Sequence, residues 1–498
     1  SDVPFETVVD ALDPVRSEAF APLAQIALSF NPGASVDGAD VTVDDLRVAP
    51  IAAPLVPAHQ DMTVVVTSGP AGEPWSAMAT YATDLFDEPT VSSMLGRLIR
   101  LLDAVTDDPG RAVGDVDLLG DGEREQVLAD SAGPPADTAA GTVAAALASA
   151  LTATAPERTA VVFGDRTVTY GEFAAYVNTT ARQLISAGVG PDTAVGLSFG
   201  RGVEMAVAIH AVLVAGGQFV PVAPDAPEDR AAYICDTAAV SLMLSDDVDR
   251  KRIPGIETLV IDCTQLAGTG ADIRQIADSE RLGTLTPENA AYTLFTSGST
   301  GRPKGVTVSQ RALLAQVNAD RDHYGLTADD VFVQMLEYTF DPAVLEFMRP
   351  ALLGAPLIML APGTNRDPQA IADIIATHRV TAAMIAPVML AAMIETLGSH
   401  TEWSATLAKV STGGEAVPPA VAAAVASAWP SAGLHNQYGP TETTIYSTIH
   451  DYDPATGRIA IGKPVAGIRA YVLDDRLGRD QQLDAQHWIA GGNVVDAG

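Results

Sequence analysis

The sequence predicts an α/β protein: two helix-covered sheets and a small β-rich unit, preceded by an α+β block. Three observations point that way. From Val143 onward helical and strand-like segments alternate, and the strand-like ones are mostly apolar, as a sheet covered on both faces requires. Before residue 106 the pattern is instead a hairpin followed by an amphipathic helix. Between two extended runs in the middle lies Thr296-Ser-Gly-Ser-Thr-Gly-Arg-Pro-Lys304-Gly, a stretch with four hydroxyls and three glycines.

Composition narrows the function. The formal charge of −33 over 498 residues argues against nucleic acid and against an anionic membrane surface, both of which would repel the chain. No apolar run reaches membrane-spanning length. Two cysteines, Cys235 and Cys263, are too few for a disulfide framework or a zinc site, and cytoplasm is the expected compartment.

Taken in order, residues 1–105 form the first block. Val8 to Leu12 and Leu23 to Leu28 are short apolar runs. Met62 to Thr67 and Ser76 to Tyr81 read as a hairpin across Gly69-Pro-Ala-Gly72, and Thr90 to Val105 as a helix with Val91, Met94, Leu95, Leu98, Leu101 and Leu102 on one face and Pro89 just before it. Residues 106–142 are interrupted by glycines and contain Ser131-Ala-Gly-Pro-Pro, so they read as a partly ordered linker, with a short helix opening at Asp121.

Residues 143–498 carry the alternation. Ala160 to Phe163 and Val168 to Tyr170 flank Gly164-Asp165 as a hairpin. Gly171 to Ala187 is helical, Val195 to Ser198 a strand, Glu204 to Ala215 a helix ending at Gly216-Gly217, and Phe219 to Val222 a strand. After the central loop, Ser309 caps a helix reaching Tyr324. Leu352 to Met359 contains a strand, Pro368 to His378 a helix, Thr381 to Ile385 a buried strand, Ala408 to Thr412 another, and Pro418 to Ala428 a helix. Ile459 to Tyr471 should begin the small β-rich unit.

In the central loop, glycines let the backbone bring its N–H groups against a ligand, hydroxyls add donors, and Lys304 adds a mobile positive charge. The same residues also suit a polar surface turn, and the order Pro303-Lys304-Gly305 departs from the common phosphate loop. Asp341, in Phe340-Asp-Pro-Ala-Val-Leu-Glu346, has two readings as well. It is a helix or turn aspartate, or a carboxylate awaiting a cation.

Thr296-Ser-Gly-Ser-Thr-Gly-x-Pro-Lys-Gly closely resembles the signature of the adenylate-forming enzymes, which include acyl-CoA ligases, luciferases and the adenylation domains of nonribosomal peptide synthetases. Asn436-Gln-Tyr-Gly-Pro-Thr-Glu-Thr-Thr444 resembles a further motif of these domains, and so does Leu213 to Asp225, where Gln218 and Phe219 replace the usual small residue and Tyr. In the first block, Pro4-Phe5-Glu6…Pro22-Leu23-Ala24-Gln25 and Tyr81-Ala-Thr-Asp-Leu-Phe-Asp87 resemble the end of a condensation domain, without the His-His-x-x-x-Asp-Gly of its chemistry. The resemblance implies an adenylate-forming (acyl-CoA ligase/luciferase-like) large subdomain behind the C-terminal lobe of a condensation domain.

It also implies ATP and Mg²⁺ as cofactors, an amino acid as substrate, and a carrier domain bearing phosphopantetheine as acceptor. The remainder of the synthetase and a small MbtH-like protein are implied partners. Thr296, Lys304 and Glu442 would serve the chemistry, with Glu442 on Mg²⁺. Thr296, Ser297, Gly298, Ser299, Thr300, Gly301 and Lys304 would hold phosphate. Gly413, Gly414, Glu415, Asn436, Tyr438, Gly439 and Thr441 would line the nucleotide, with Tyr438 on adenine. Asp341 would hold the α-ammonium, which acyl-CoA ligases and luciferases have no residue to do there. The pocket would be lined by Asp341, Pro342, Leu345, Met384, Ser411, Gly413, Gln437, Ile445 and Tyr446, a mostly neutral set that suits a neutral amino acid. After Tyr471 to Leu477 the resemblance fades: the ribose-binding Asp, the hinge, the C-terminal subdomain with its lysine and the carrier domain have no counterpart, which implies little turnover by this chain alone. Two rivals stand beside this reading, a free-standing acyl- or aryl-acid ligase and a non-catalytic partner-binding platform.

Overall fold

The structure, a computed structural model, describes residues 24–31, 41–43, 46–48, 60–68, 74–136, 141–247, 253–266, 274–296, 302–398, 402–472 and 487–488, with 7, 11 and 12 besides. The Val8 to Leu12 run for the most part, the Pro4 to Pro22 motif, the Gly69 to Gly72 turn, the loop residues Ser297 to Gly301 and the tail beyond 472 other than 487–488 lie outside it.

The chain forms two compact units, Ser1–Glu125 and Gln126–Gly498. In the first, Met62–Thr67 lies between a parallel neighbour, Ile26–Asn31, and an antiparallel one, Ser76–Tyr81, so the expected hairpin partners do pair. Val41–Val43 and Leu46–Val48 make a separate pair. The helix spans Glu88–Asp107; Asp87 caps it by accepting from Thr90 N at 2.8 Å, and Pro89 occupies its first turn, where no backbone donor is needed, instead of preceding it. Part of the predicted linker is more ordered than its glycines suggest. Arg100 Nε donates to Leu118 O at 2.7 Å, and Ser93 Oγ donates to Glu123 at 2.9 Å, tying residues 118–123 back onto that helix.

The second unit holds two sheets. The six-stranded sheet runs Glu257–Val260, Leu242–Ser245, Ala194–Ser198, Gln218–Pro221, Ala290–Thr296 and Lys304–Ser309; all neighbours are parallel except the last pair. The nine-stranded sheet has a parallel centre, in the order Gly433–Tyr438, Lys409–Gly413, Ala382–Met384, Phe332–Gln334, Leu357–Met359 and Thr159–Phe163, with antiparallel strands at both edges. Between them lies the helix Val203–Ala215, apolar on every face and touching strands of both sheets.

Of the small β-rich unit expected from Ile459, the described residues show two pairings: Lys463–Pro464 with Thr448–Asp451, which extends the nine-stranded sheet, and Tyr471–Val472 with His487–Trp488. Gly462, at φ 85°, permits the first: a Cβ there would lie 1.9 Å from Ile449 O. Residues 131–134, also within the predicted linker, are pinned to this edge. Gly133 N donates to Ile468 O, and Gly467 N to Pro134 O, both at 2.8 Å. No described helix is long and apolar enough to cross a membrane.

Candidate substrate cavity and phosphate loop

Parallel strands deliver their carboxyl ends to one edge of a sheet, which is where open α/β sheets bind ligands. Phe332–Gln334, Ala382–Met384, Lys409–Gly413 and Gly433–Tyr438 all end around one cavity of about 520 Å³. Asp341, Pro342, Met384, Gly413, Gly414, Glu415, Gln437, Gly439, Ile445 and Tyr446 line it, so four stretches separated in sequence converge there. Leu345 and Ser411 do not line it; they are buried behind the wall, Leu345 on the inward side of the helix Pro342–Leu353. Asn436 also turns away, donating its amide to Ala460 O at 2.7 Å.

Asp341 sits at the N-cap position of that helix, yet its side chain makes no capping hydrogen bond. Burial pushes its carboxyl up to about 6; the Thr441 hydroxyl works in the opposite direction, and the Glu442 charge adds to the rise. Among the described residues this carboxylate meets no cation and makes no capping bond, which favours the second of its two sequence readings.

A strap that the sequence did not reveal ties the helix following Asp341 to residues 334–336. Glu346, buried one turn into the helix, accepts from Leu336 N at 3.0 Å, from Met335 N at 3.2 Å and from Gln334 Nε2 at 3.0 Å. Arg201 donates to Gln334 Oε1 at 2.6 Å, to Met335 O at 2.7 Å and to Leu336 O at 3.0 Å. Burial raises Glu346 to about 7 despite these donors. A glutamate in a mostly apolar helix was the available signal, since such a buried group persists only when bonded.

The opposite wall is strained. Thr444 and Ile445 both have positive φ, 67° and 75°, and Tyr446 N donates to Thr444 O at 2.9 Å, closing a tight three-residue turn. Gly439 lets this turn approach, since a Cβ there would lie 2.5 Å from Tyr446 Cα. Behind it, the Tyr446 hydroxyl donates to Asp320, whose other oxygen meets the Arg349 guanidinium, and Gln437 Nε2 donates to Tyr324 Oη at 2.8 Å. Asp320 and Arg349 were also missed; a charged pair from two separate helices leaves no local sequence trace.

The strands flanking the central loop pair antiparallel, with Thr296 opposite Lys304 at its base. Lys304 is exposed, and Tyr233 Oη donates to Pro303 O at 3.1 Å. The turn Thr441–Thr443 packs against the Lys304–Ser309 strand, bringing the exposed Glu442 to the lysine's strand. Tyr438, at the end of its strand, keeps 37% of its surface exposed. Thr296, Lys304, Tyr438, Thr441 and Glu442 thus flank the cavity without lining it.

Comparison with known proteins adds family to geometry. Residues 149–494 match the family described as AMP-binding enzyme, and residues 1–128 match the Condensation domain. The probable non-canonical nonribosomal peptide synthetase CymA of Salinispora arenicola is 34% identical over 96% of this chain and 6% of its own length. The dimodular nonribosomal peptide synthase of Bacillus subtilis is 30% identical over 96% and 21%. The phosphinothricin tripeptide synthetase PhsB of Streptomyces viridochromogenes is 30% identical over 98% and 41%. The chain therefore spans less than half the length of each. Among solved structures, the four-domain synthetase AB3403, bound to AMP and glycine, superposes with a TM-score of 0.79 at 22% identity, over 95% of this chain and 35% of that one. FmoA3 with α-methyl-L-serine-AMP superposes with a TM-score of 0.78 at 22% identity, over 99% and 55%. At that identity the likeness establishes the fold.

Proposed function

This chain belongs to the AMP-binding enzyme family, and from that premise we propose that it is the amino-acid-activating part of a nonribosomal peptide synthetase. The reaction is attack of an amino acid carboxylate on the α-phosphorus of ATP. It yields an aminoacyl adenylate and pyrophosphate, and the acyl group then passes to a carrier-protein phosphopantetheine thiol. Asp341 carries this reading: a carboxylate raised to about 6, with no capping bond and no cation among the described residues, is complementary to an α-ammonium.

The chain's own residues would position the substrates. Asp341 binds and orients the ammonium, and Lys304 with Thr296 and the loop between them takes phosphate charge. Tyr438 offers an exposed aromatic face to adenine. Glu442, exposed and paired with no described cation, fits Mg²⁺, which takes carboxylate and phosphate oxygens and would neutralise charge developing at the phosphates. The −33 charge makes such neutralisation necessary for a polyphosphate. An MbtH-like protein and the remaining synthetase domains are the partners in this proposal.

The substrate side chain is apolar. Met335, Met384, Ile385, Met389, Ile445 and Tyr446 form much of the walls, and two polar wall groups are already bonded, Gln437 to Tyr324 and Tyr446 to Asp320, while Glu415 is exposed. Glu337 is bonded to Arg201 and Asn365, each at 3.2 Å. Isothermal calorimetry in MgATP tests the proposal with an apolar L-amino acid series and the matching deaminated acids. The amino acid should bind more tightly than its deaminated counterpart; equal binding favours the acyl-acid ligase, and no binding of either sinks both.

A further inference from the structure

We propose that His323, His435 and Asp451 form a site for a divalent transition-metal ion of the Zn²⁺ type, distinct from any Mg²⁺ that accompanies ATP. None of the three lines the cavity, and their ligand atoms all lie within 4.8 Å of one another. His435 and Asp451 are direct cross-strand partners, and His323 comes from the last turn of the helix Gln310–Tyr324. His435 Nδ1 lies 2.6 Å and His323 Nε2 2.9 Å from Asp451 Oδ1. An ion entering between these three atoms would replace two hydrogen bonds with metal–ligand bonds and need only small side-chain movements.

The ring orientations are set by packing. Tyr324 meets His435 edge-on at 4.8 Å between centroids and His323 at 4.9 Å, and the two imidazoles are 5.7 Å apart at 82°. Asp451 keeps 63% of its side chain exposed, which leaves an entry path and room for a water as fourth ligand.

Donor chemistry names the ion class. Two imidazoles and one carboxylate suit Zn²⁺, Cu²⁺ or Ni²⁺, whereas Mg²⁺ prefers oxygen throughout. The consequence is architectural. His435 precedes Asn436 and Gln437 in one strand, and Gln437 is bonded to Tyr324. An ion would thus clip the helix end to the strand that reaches the cavity wall.

The test uses the untagged chain, freed of metal by chelator dialysis and titrated with Zn²⁺ against a chromophoric chelator. One equivalent should bind, Mg²⁺ in large excess should not displace it, and Zn²⁺ should raise the thermal midpoint. His323→Ala, at an accessible helix end, and Asp451→Asn should each weaken binding by at least about tenfold and abolish the thermal shift. Circular dichroism in chelator checks that both variants remain folded. Absence of stoichiometric Zn²⁺ binding, or equal binding by wild type and both folded variants, overturns the site and leaves Asp451 as a plain hydrogen-bond acceptor for two histidines.

Discussion

Behind the cavity wall, Asp320 meets the Arg349 guanidinium and the Tyr446 hydroxyl, and Gln437 is bonded to Tyr324. Inside the cavity, Asp341 meets no described cation, and its neighbour in charge is another carboxylate, Glu442. Both aspartates are raised, burial being the largest cause in each. The difference lies in who supplies the compensating charge. Behind the wall the chain supplies it, so those groups hold the fold. In the cavity no described group supplies it, and under the proposed function a substrate ammonium does, so Asp341 would serve binding at some cost to the free protein.

The largest effect expected from this contrast follows Arg349→Ala. It strands Asp320, whose side chain is fully buried, and should cost about 3–5 kcal/mol in denaturant unfolding. In that variant the lone Asp320 is raised further, so its penalty is complete above its raised pKa and is relieved as pH falls toward the ordinary carboxylate range. A loss below about 1 kcal/mol would put Asp320 in the same class as Asp341 and break the contrast.

Asp341→Ala should do the reverse. Stability should hold or rise, while amino acid affinity should fall by about 1.5–3 kcal/mol, roughly ten- to hundredfold, in calorimetry; the deaminated acid should be unaffected. A variant that unfolds with unchanged affinity would make Asp341 structural.

Titration sharpens the same point. Ammonium binding needs the ionised carboxylate, so amino acid affinity should be level above pH about 6 and fall about tenfold per unit below it. Deaminated acids should show no such step. A profile flat down to pH about 4, where an ordinary aspartate titrates, would show that burial does not perturb Asp341.

Lys304→Ala should have the smallest effect. Lys304 is exposed, so unfolding should shift by no more than about 0.5 kcal/mol, and MgATP affinity by up to about 1 kcal/mol, roughly fivefold. Unchanged MgATP affinity would remove the lysine from the phosphate site.

Much of this molecule is legible in one dimension. Met62–Thr67 pairs with Ser76–Tyr81, the helix Pro368–His378 begins and ends where its proline and last turn indicate, and Ser309 caps the helix Gln310–Tyr324 by accepting from Ala312 N. These features depend on neighbours a few residues away. The convergence of Asp341, Met384, Gly413, Gln437, Ile445 and Tyr446 was legible too, through resemblance, and they do meet at one cavity. Leu345 and Ser411 came with the same pattern but lie behind the wall, because motif position says nothing about which way a side chain turns.

By itself, the sequence determined the alternation of apolar segments, the phosphate-loop composition and the aspartate in Phe340-Asp-Pro, all written in residue type and short spacing. Tertiary structure alone decided which charges are satisfied. Arg201 reaches Gln334 across 133 positions, Gln437 reaches Tyr324 across 113, and Arg349 reaches Asp320 across 29. Whether a buried carboxylate is a strut or a receptor depends on a partner that local pattern does not name, and only folding brings that partner within hydrogen-bond reach or keeps it away.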